Sequence, residues 1–229
     1  KKSSTTGLRC VHLQLKVIGQ LNLKQNKKNK KFVYLISPNK IKNKEFYINL
    51  ALILSAGKVN YFQLRLKKET NINKLIIGKK IKKICKKYKV KFLINDDPLL
   101  AKKLNADGCH LGQKDMDLIK ARKILKNKII GITCHNSINL AKRAIEDGAN
   151  YLAFGAFYLS KTKIVKYKAS LTILRSVKKI TSIPIVAIGG IKLNNYKKLL
   201  LNKANFLAIS GYIWSNKKYK PLEAIKKLK

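Results

Sequence analysis

From residue 32 onward the hydrophobic pattern switches back and forth between two periods. Eight short runs dense in β-branched and aromatic residues predict strands: "FVYLI" (32–36), "NYFQL" (60–64), "KFLI" (91–94), "GCHL" (108–111), "IIGIT" (129–133), "YLAFG" (151–155), "IPIVAI" (183–188) and "NFLAI" (205–209). Between them lie stretches such as "DLIKARKILKN" and "NLAKRAIEDGA", whose apolar residues recur three and four apart and predict helices with one buried face. Strand followed by helix, repeated along the chain, predicts a parallel α/β architecture. The turns repeat as well. "SAGKVNYFQL", "LNADGCHL", "EDGANYLAF" and "NKANFLAI" each run from a helix end through a turn-forming residue into a strand. Recurrence of one such unit favours a closed TIM (β/α)8 barrel over a doubly wound sheet, because no first βα turn carries G-x-G-x-x-G. The barrel is expected over residues 32–229, preceded over residues 1–31 by a basic arm ending in "KQNKKNKK" and expected to be partly disordered.

Charge changes this picture less than its size suggests. With 52 Lys and Arg against 10 Asp and Glu the net charge is +42, which raises the question of a nucleic-acid partner. The lysines, however, are spread over nearly every helix and loop rather than clustered, and only Arg9, Arg65, Arg122, Arg143 and Arg175 are arginines. The pattern reads as compositional drift that also draws in anionic small molecules. Cys10, Cys85, Cys109 and Cys134 form no C-x-x-C pair, so neither a zinc site nor a disulfide framework is expected and a reducing cytoplasm fits; Cys109 and Cys134 read as small buried residues. No apolar run approaches the ~18 residues of a membrane span, so no membrane partner is expected.

In a (β/α)8 barrel the active site lies where the strands end. Those ends are polar here: Gln63, Arg65 and Lys67 after the second strand; Asn95, Asp96 and Asp97 after the third; Gln113, Asp115 and Asp117 after the fourth; Thr133, Cys134 and His135 on the fifth; Ser160, Lys161, Thr162 and Lys163 beyond the sixth. The seventh and eighth end in "AIGG" and "AISG". Carboxylates from adjacent strands suit Mg²⁺, which completes its shell with water and substrate oxygens. Arg65, Lys67 and Lys163 supply cations for phosphate, and the glycine turns offer backbone N–H groups. "NDD" before Pro98 also reads as a helix cap, and His135 as a neighbour of the next helix start.

The segments "FQLRLK", "FLINDDPLLAKKLNADGCHLGQKD", "IIGITCH", "GANYLAFGAF", "TK", "IPIVAIGGI" and "FLAISG" together resemble the thiamine-phosphate synthase family over residues 32 to 215. The resemblance implies a transferase that condenses hydroxymethylpyrimidine diphosphate with thiazole phosphate, or its carboxylate, to give thiamine phosphate and pyrophosphate. It implies that Gln63, Arg65, Lys67 and Asn95 hold the pyrimidine diphosphate, with Thr133 in place of a common serine. It further implies that Asp96 and Asp115 bind Mg²⁺, that Ser160, Thr162, Gly190, Ile209 and Ser210 face the thiazole phosphate, and that Lys163 touches the diphosphate. Arg65, Lys67 and Lys163 are the implied catalytic groups. Departures from the pattern are "LSKTK" for P-T-x-T-K, Leu66 for a glutamate, and no glycine before the sixth helix. Two other readings are a thiazole tautomerase of the same fold and a non-catalytic nucleic-acid binder; retention of Asp96, Asp115, Arg65 and Lys67 counts against the first.

Overall fold

In the computed structural model, which describes residues 31–159 and 167–229, eight parallel strands close into a barrel in chain order. They are β1 (Val33–Ile36), β2 (Val59–Leu64), β3 (Lys91–Asn95), β4 (Gly108–Leu111), β5 (Ile129–His135), β6 (Tyr151–Phe154), β7 (Ile185–Ile188) and β8 (Phe206–Ile209). The helices are α1 (Lys44–Ser55), α2 (Asn71–Lys87), α3 (Pro98–Lys103), α4 (Leu118–Leu125), α5 (Ile138–Glu146), α6 (Leu171–Ile180), α7 (Tyr196–Leu201), α8 (Gly211–Trp214) and α9 (Pro221–Lys227). Each strand expected from the sequence is present within two residues of its expected ends. The basic arm, Lys31 apart, lies outside the described residues.

Two apolar layers follow from the period-two alternation of the strands. Outward residues such as Leu35, Phe62, Phe92, Cys109 and Leu152 pack beneath the helices, whereas Tyr34, Leu93, Tyr151, Val186 and Ala208 fill the barrel itself. Cys85, Cys109 and Cys134 are buried free thiols, and burial pushes Cys134 up to about 12, so none of the three is a ready nucleophile.

The recurrent helix-to-strand turn has a specific job. Asp107, Asn150 and Asn205, each just before an even-numbered strand, use a side-chain oxygen to accept the N–H of Phe92, Ile130 and Ile185 at 2.8, 2.8 and 2.9 Å. Each thus satisfies a donor at the start of the preceding strand that the ladder leaves open. Arg122 adds a clamp at the same end, donating to the carbonyls of Lys126, Lys128 and Gly148 and to Asn150 Oδ1.

The barrel interior is polar along one line. Tyr34 Oη lies 2.8 Å from Tyr151 Oη, Tyr151 Oη 2.9 Å from His110 Nδ1, and His110 Nε2 2.9 Å from Thr133 Oγ1. Gly131 makes room for this line, since a Cβ there would sit 1.9 Å from the Tyr151 ring. Gly131→Ala is therefore expected to displace Tyr151 and destabilise the barrel by about 1–3 kcal/mol, the usual cost of overpacking. A denaturant titration checks this, and an unchanged midpoint would refute the contact.

Candidate active site

Continuing each inward row past the strand end carries it to the mouth. On β2 the row is Tyr61, Gln63 and then Arg65; on β3 it is Leu93 and Asn95; on β5 it is Gly131 and Thr133. Gln63 is only 2% exposed, one of two buried polar residues among those described, the other being Ser37. Gln113 reaches across from β4 and donates from Nε2 to the Thr133 carbonyl at 2.6 Å.

At the end of β3 the backbone turns left-handed at Asp96, φ 64°, while the Asp96 N–H still donates to the His110 carbonyl at 2.8 Å. Aspartate tolerates this region better than most residues. Asp96 Oδ2 lies 3.0 Å from Lys67 Nζ, and its carboxyl group neighbours that of Asp115. Asp115 is held from behind by the Gly112 N–H, 2.6 Å from Oδ2. The next acid in each segment does something else. Asp97 caps α3 by accepting the Leu100 N–H at 2.8 Å, and Asp117 caps α4 by accepting that of Ile119 at 2.9 Å. Of four neighbouring acids, two converge on the mouth and two start helices.

The pair titrates asymmetrically. Burial and the adjoining Asp96 raise the Asp115 carboxyl above its ordinary value. Burial acts on Asp96 in the same sense, but the hydrogen bond from Asp115 and the Lys67 ammonium outweigh it and hold Asp96 below its ordinary value. Two adjoining carboxyl groups that bias each other's titration in this way suit a cation, which offsets the charge each places on the other. A cavity of about 270 Å³ opens beside Asp96 on the helix side of the β2 and β3 ends, lined by Lys67, Lys74, Asn95 and Asp97 together with the outer-core residues Leu66 and Leu100. Leu66, the departure from the family's glutamate, is buried in the outer core at 3% exposure and leaves the mouth to its neighbours.

Across the mouth, Gly189 and Gly190 take φ 105° and 58°. A Cβ on Gly190 would lie 2.3 Å from the Leu159 carbonyl, so the β6–α6 connection crosses close above this turn. Ile209 ends β8 and Ser210 leads into α8. Ser160, Lys161, Thr162 and Lys163 lie outside the described residues. The stem of their connection is described: the Ala156 N–H donates to the Tyr167 carbonyl at 2.8 Å, and the Tyr167 ring stacks on His135 with centroids 4.1 Å apart. His135 thus has a packing role, while Ser137 is the residue that caps α5.

Sequence reasoning missed His110, Ser37 and Asn39. His110 could have been found as the inward member of "GCHL", flanked by the outward Cys109 and Leu111. Asn39 Oδ1 accepts from Arg65 Nη1 at 3.1 Å, a contact with no local sequence signal.

Residues 33–213 match the profile of a family described as thiamine monophosphate synthase. A thiamine-phosphate synthase of Pelagibacter ubique is 84% identical over 207 residues, which span 90% of this chain and all of the relative. One from Nitrosomonas eutropha is 39% identical over 184 residues, 80% of this chain and 86% of the relative. The solved thiamine phosphate pyrophosphorylase of Pyrococcus furiosus superposes with a TM-score of 0.76 at 27% identity, covering 89% of this chain and 96% of that one. A 3-hexulose-6-phosphate synthase, at 18% identity and a TM-score of 0.60, shares the fold alone. A barrel with this mouth, matched across its length by such relatives, belongs to the thiamine monophosphate synthase family.

Proposed function

We propose that the mouth binds a pyrimidine diphosphate and a thiazole phosphate and joins them as thiamine phosphate, the transferase reaction for which the family is named. The methylene carbon of the pyrimidine exchanges its bond to the diphosphate oxygen for one to the thiazole nitrogen, and pyrophosphate leaves. The observation that carries this reading is the convergence of Arg65, Lys67, Asp96 and Asp115 on neighbouring strand ends.

In this assignment Gln63 and Asn95 line the pyrimidine side. Arg65 and Lys67, with Lys163 from the β6–α6 connection, hold the diphosphate and counter its charge as the bond breaks. Thr133 adds a hydroxyl held by His110. Gly190, Ile209 and Ser210 present backbone and hydroxyl groups to the thiazole phosphate, and Ser160 and Thr162 are assigned to the same phosphate. The short helix α8 after β8 is the kind of extra element on which such barrels seat a phosphate.

Asp96 and Asp115 would hold Mg²⁺. The fit rests on two adjoining carboxyl groups from neighbouring strand ends. Among the described residues no third His, Cys, Asp or Glu joins a metal cluster, so the remaining positions would fall to water and diphosphate oxygens. When bound, the ion neutralises charge on the leaving diphosphate. The tautomerase reading has no use for this cluster, and the spread of lysines gives a nucleic acid no defined face.

Three outcomes test the assignment. Purified protein given both substrates should form thiamine phosphate and pyrophosphate only when Mg²⁺ is present; product in a chelator would remove the metal from the scheme. Asp96→Asn should lower turnover by more than the ~10–100-fold typical of an outer-shell partner, with little loss of stability because asparagine also accepts a positive φ. Activity near wild type would exclude Asp96 as a ligand. Mg²⁺ affinity, measured calorimetrically, should weaken as pH falls toward the raised value of Asp115, since protonation there removes one ligand charge; affinity flat with pH down to the ordinary aspartate range would contradict Asp115 as a ligand.

A further inference from the structure

β1 ends in a turn, "SPN", that joins both halves of the mouth. Ser37 is 2% exposed and uses every polar atom it has. Its N–H donates to the Gln63 carbonyl at 2.9 Å. Its hydroxyl oxygen accepts the Arg65 N–H at 2.9 Å, with the hydroxyl proton within reach of the Pro38 and Arg65 carbonyls at 3.2 and 3.3 Å. Its carbonyl accepts from Ser210 Oγ at 3.2 Å. Two residues on, exposed Asn39 accepts from Arg65 Nη1 at 3.1 Å. One turn therefore fixes the backbone of Arg65, the direction of its guanidinium and the rotamer of Ser210.

We propose that Ser37 and Asn39 are positioning residues, Asn39 aiming the Arg65 guanidinium at the diphosphate and Ser37 setting the spacing between Arg65 and the Ser210 turn. The proposal rests on the assignment of Arg65 and Ser210 to the two phosphate-bearing substrates. A planar guanidinium binds an oxyanion well only when its fork faces it, and a fixed acceptor on one Nη removes rotamers that would turn it away. Asn39 can do this without touching substrate. Ser37 acts on both sides, because the same peptide unit contacts Arg65 through its side chain and Ser210 through its carbonyl.

Steady-state kinetics with each substrate varied in turn, together with melting temperatures, test this on wild type, Asn39→Ala, Ser37→Ala and Ser37→Thr. Asn39→Ala is expected to raise KM for the pyrimidine diphosphate about fivefold, the loss of one ordinary hydrogen bond, with KM for the thiazole phosphate and the melting temperature unchanged. Ser37→Ala is expected to raise both KM values, and Ser37→Thr, which keeps the hydroxyl, to restore them. Unchanged KM values in Asn39→Ala, or a Ser37→Ala effect confined to melting temperature, would overturn the proposal while leaving the synthase reading intact. A wild-type protein that makes no thiamine phosphate would overturn both.

Discussion

Closure of the sheet by pairing β1 with β8 is the constraint on which the site depends. Val33, Tyr34 and Leu35 pair with Leu207, Ala208 and Ile209, so the last strand meets the first and no edge is left open. An open sheet would spread its strand ends along a line; a closed one brings eight of them around one mouth. The seam is held at both ends. At the mouth, Trp214 Nε1 donates to the Ile36 carbonyl at 2.7 Å, next to the bond from Ser210 to Ser37. At the opposite end Phe32 stacks on Tyr196, whose hydroxyl donates to the Lys229 carbonyl, and Lys58 donates to the carbonyls of Lys226 and Leu228.

Within that ring, charge is arranged by scarcity. A chain with 10 acidic residues gives two of them to one point of the mouth and two more to the helix starts beside it. The basic excess makes the surroundings of the mouth attractive to anions, which gains encounter rate more than selectivity. Selectivity has to come from fixed groups, and here they are fixed by neighbours: Lys67 by Asp96, Arg65 by Asn39, Asp115 by the Gly112 N–H.

The sequence made the periodic features legible and hid the non-local ones. Strands could be read because each is a short run of core residues, and the barrel because its turns repeat. The function of those turns was hidden, since Asn150 and Asn205 act on N–H groups 20 residues back. Asp97 could be separated from Asp96 because Pro98 marks a helix start, and the Leu100 N–H bears out the cap. Lys67 read as a diphosphate ligand gave no hint that its ammonium pairs with Asp96 across the β2–β3 boundary. His110 stayed hidden because its partners Tyr151 and Thr133 lie 41 and 23 residues away, on strands that only closure brings alongside.

That hidden chain decides what Thr133 offers to a ligand. Burial raises the Tyr34 and Tyr151 hydroxyls far above their ordinary value, so both keep their protons and can only pass hydrogen bonds along. The outcome turns on His110 Nε2. If it carries a proton, it donates to Thr133 Oγ1, and the threonine O–H is left to point into the mouth as a donor. If it is bare, Thr133 spends its proton on the ring and shows the mouth only lone pairs. An anion beside Thr133 would favour the first order over the second. The hydroxyl of Thr133 is therefore set together with the ring of His110, one strand away.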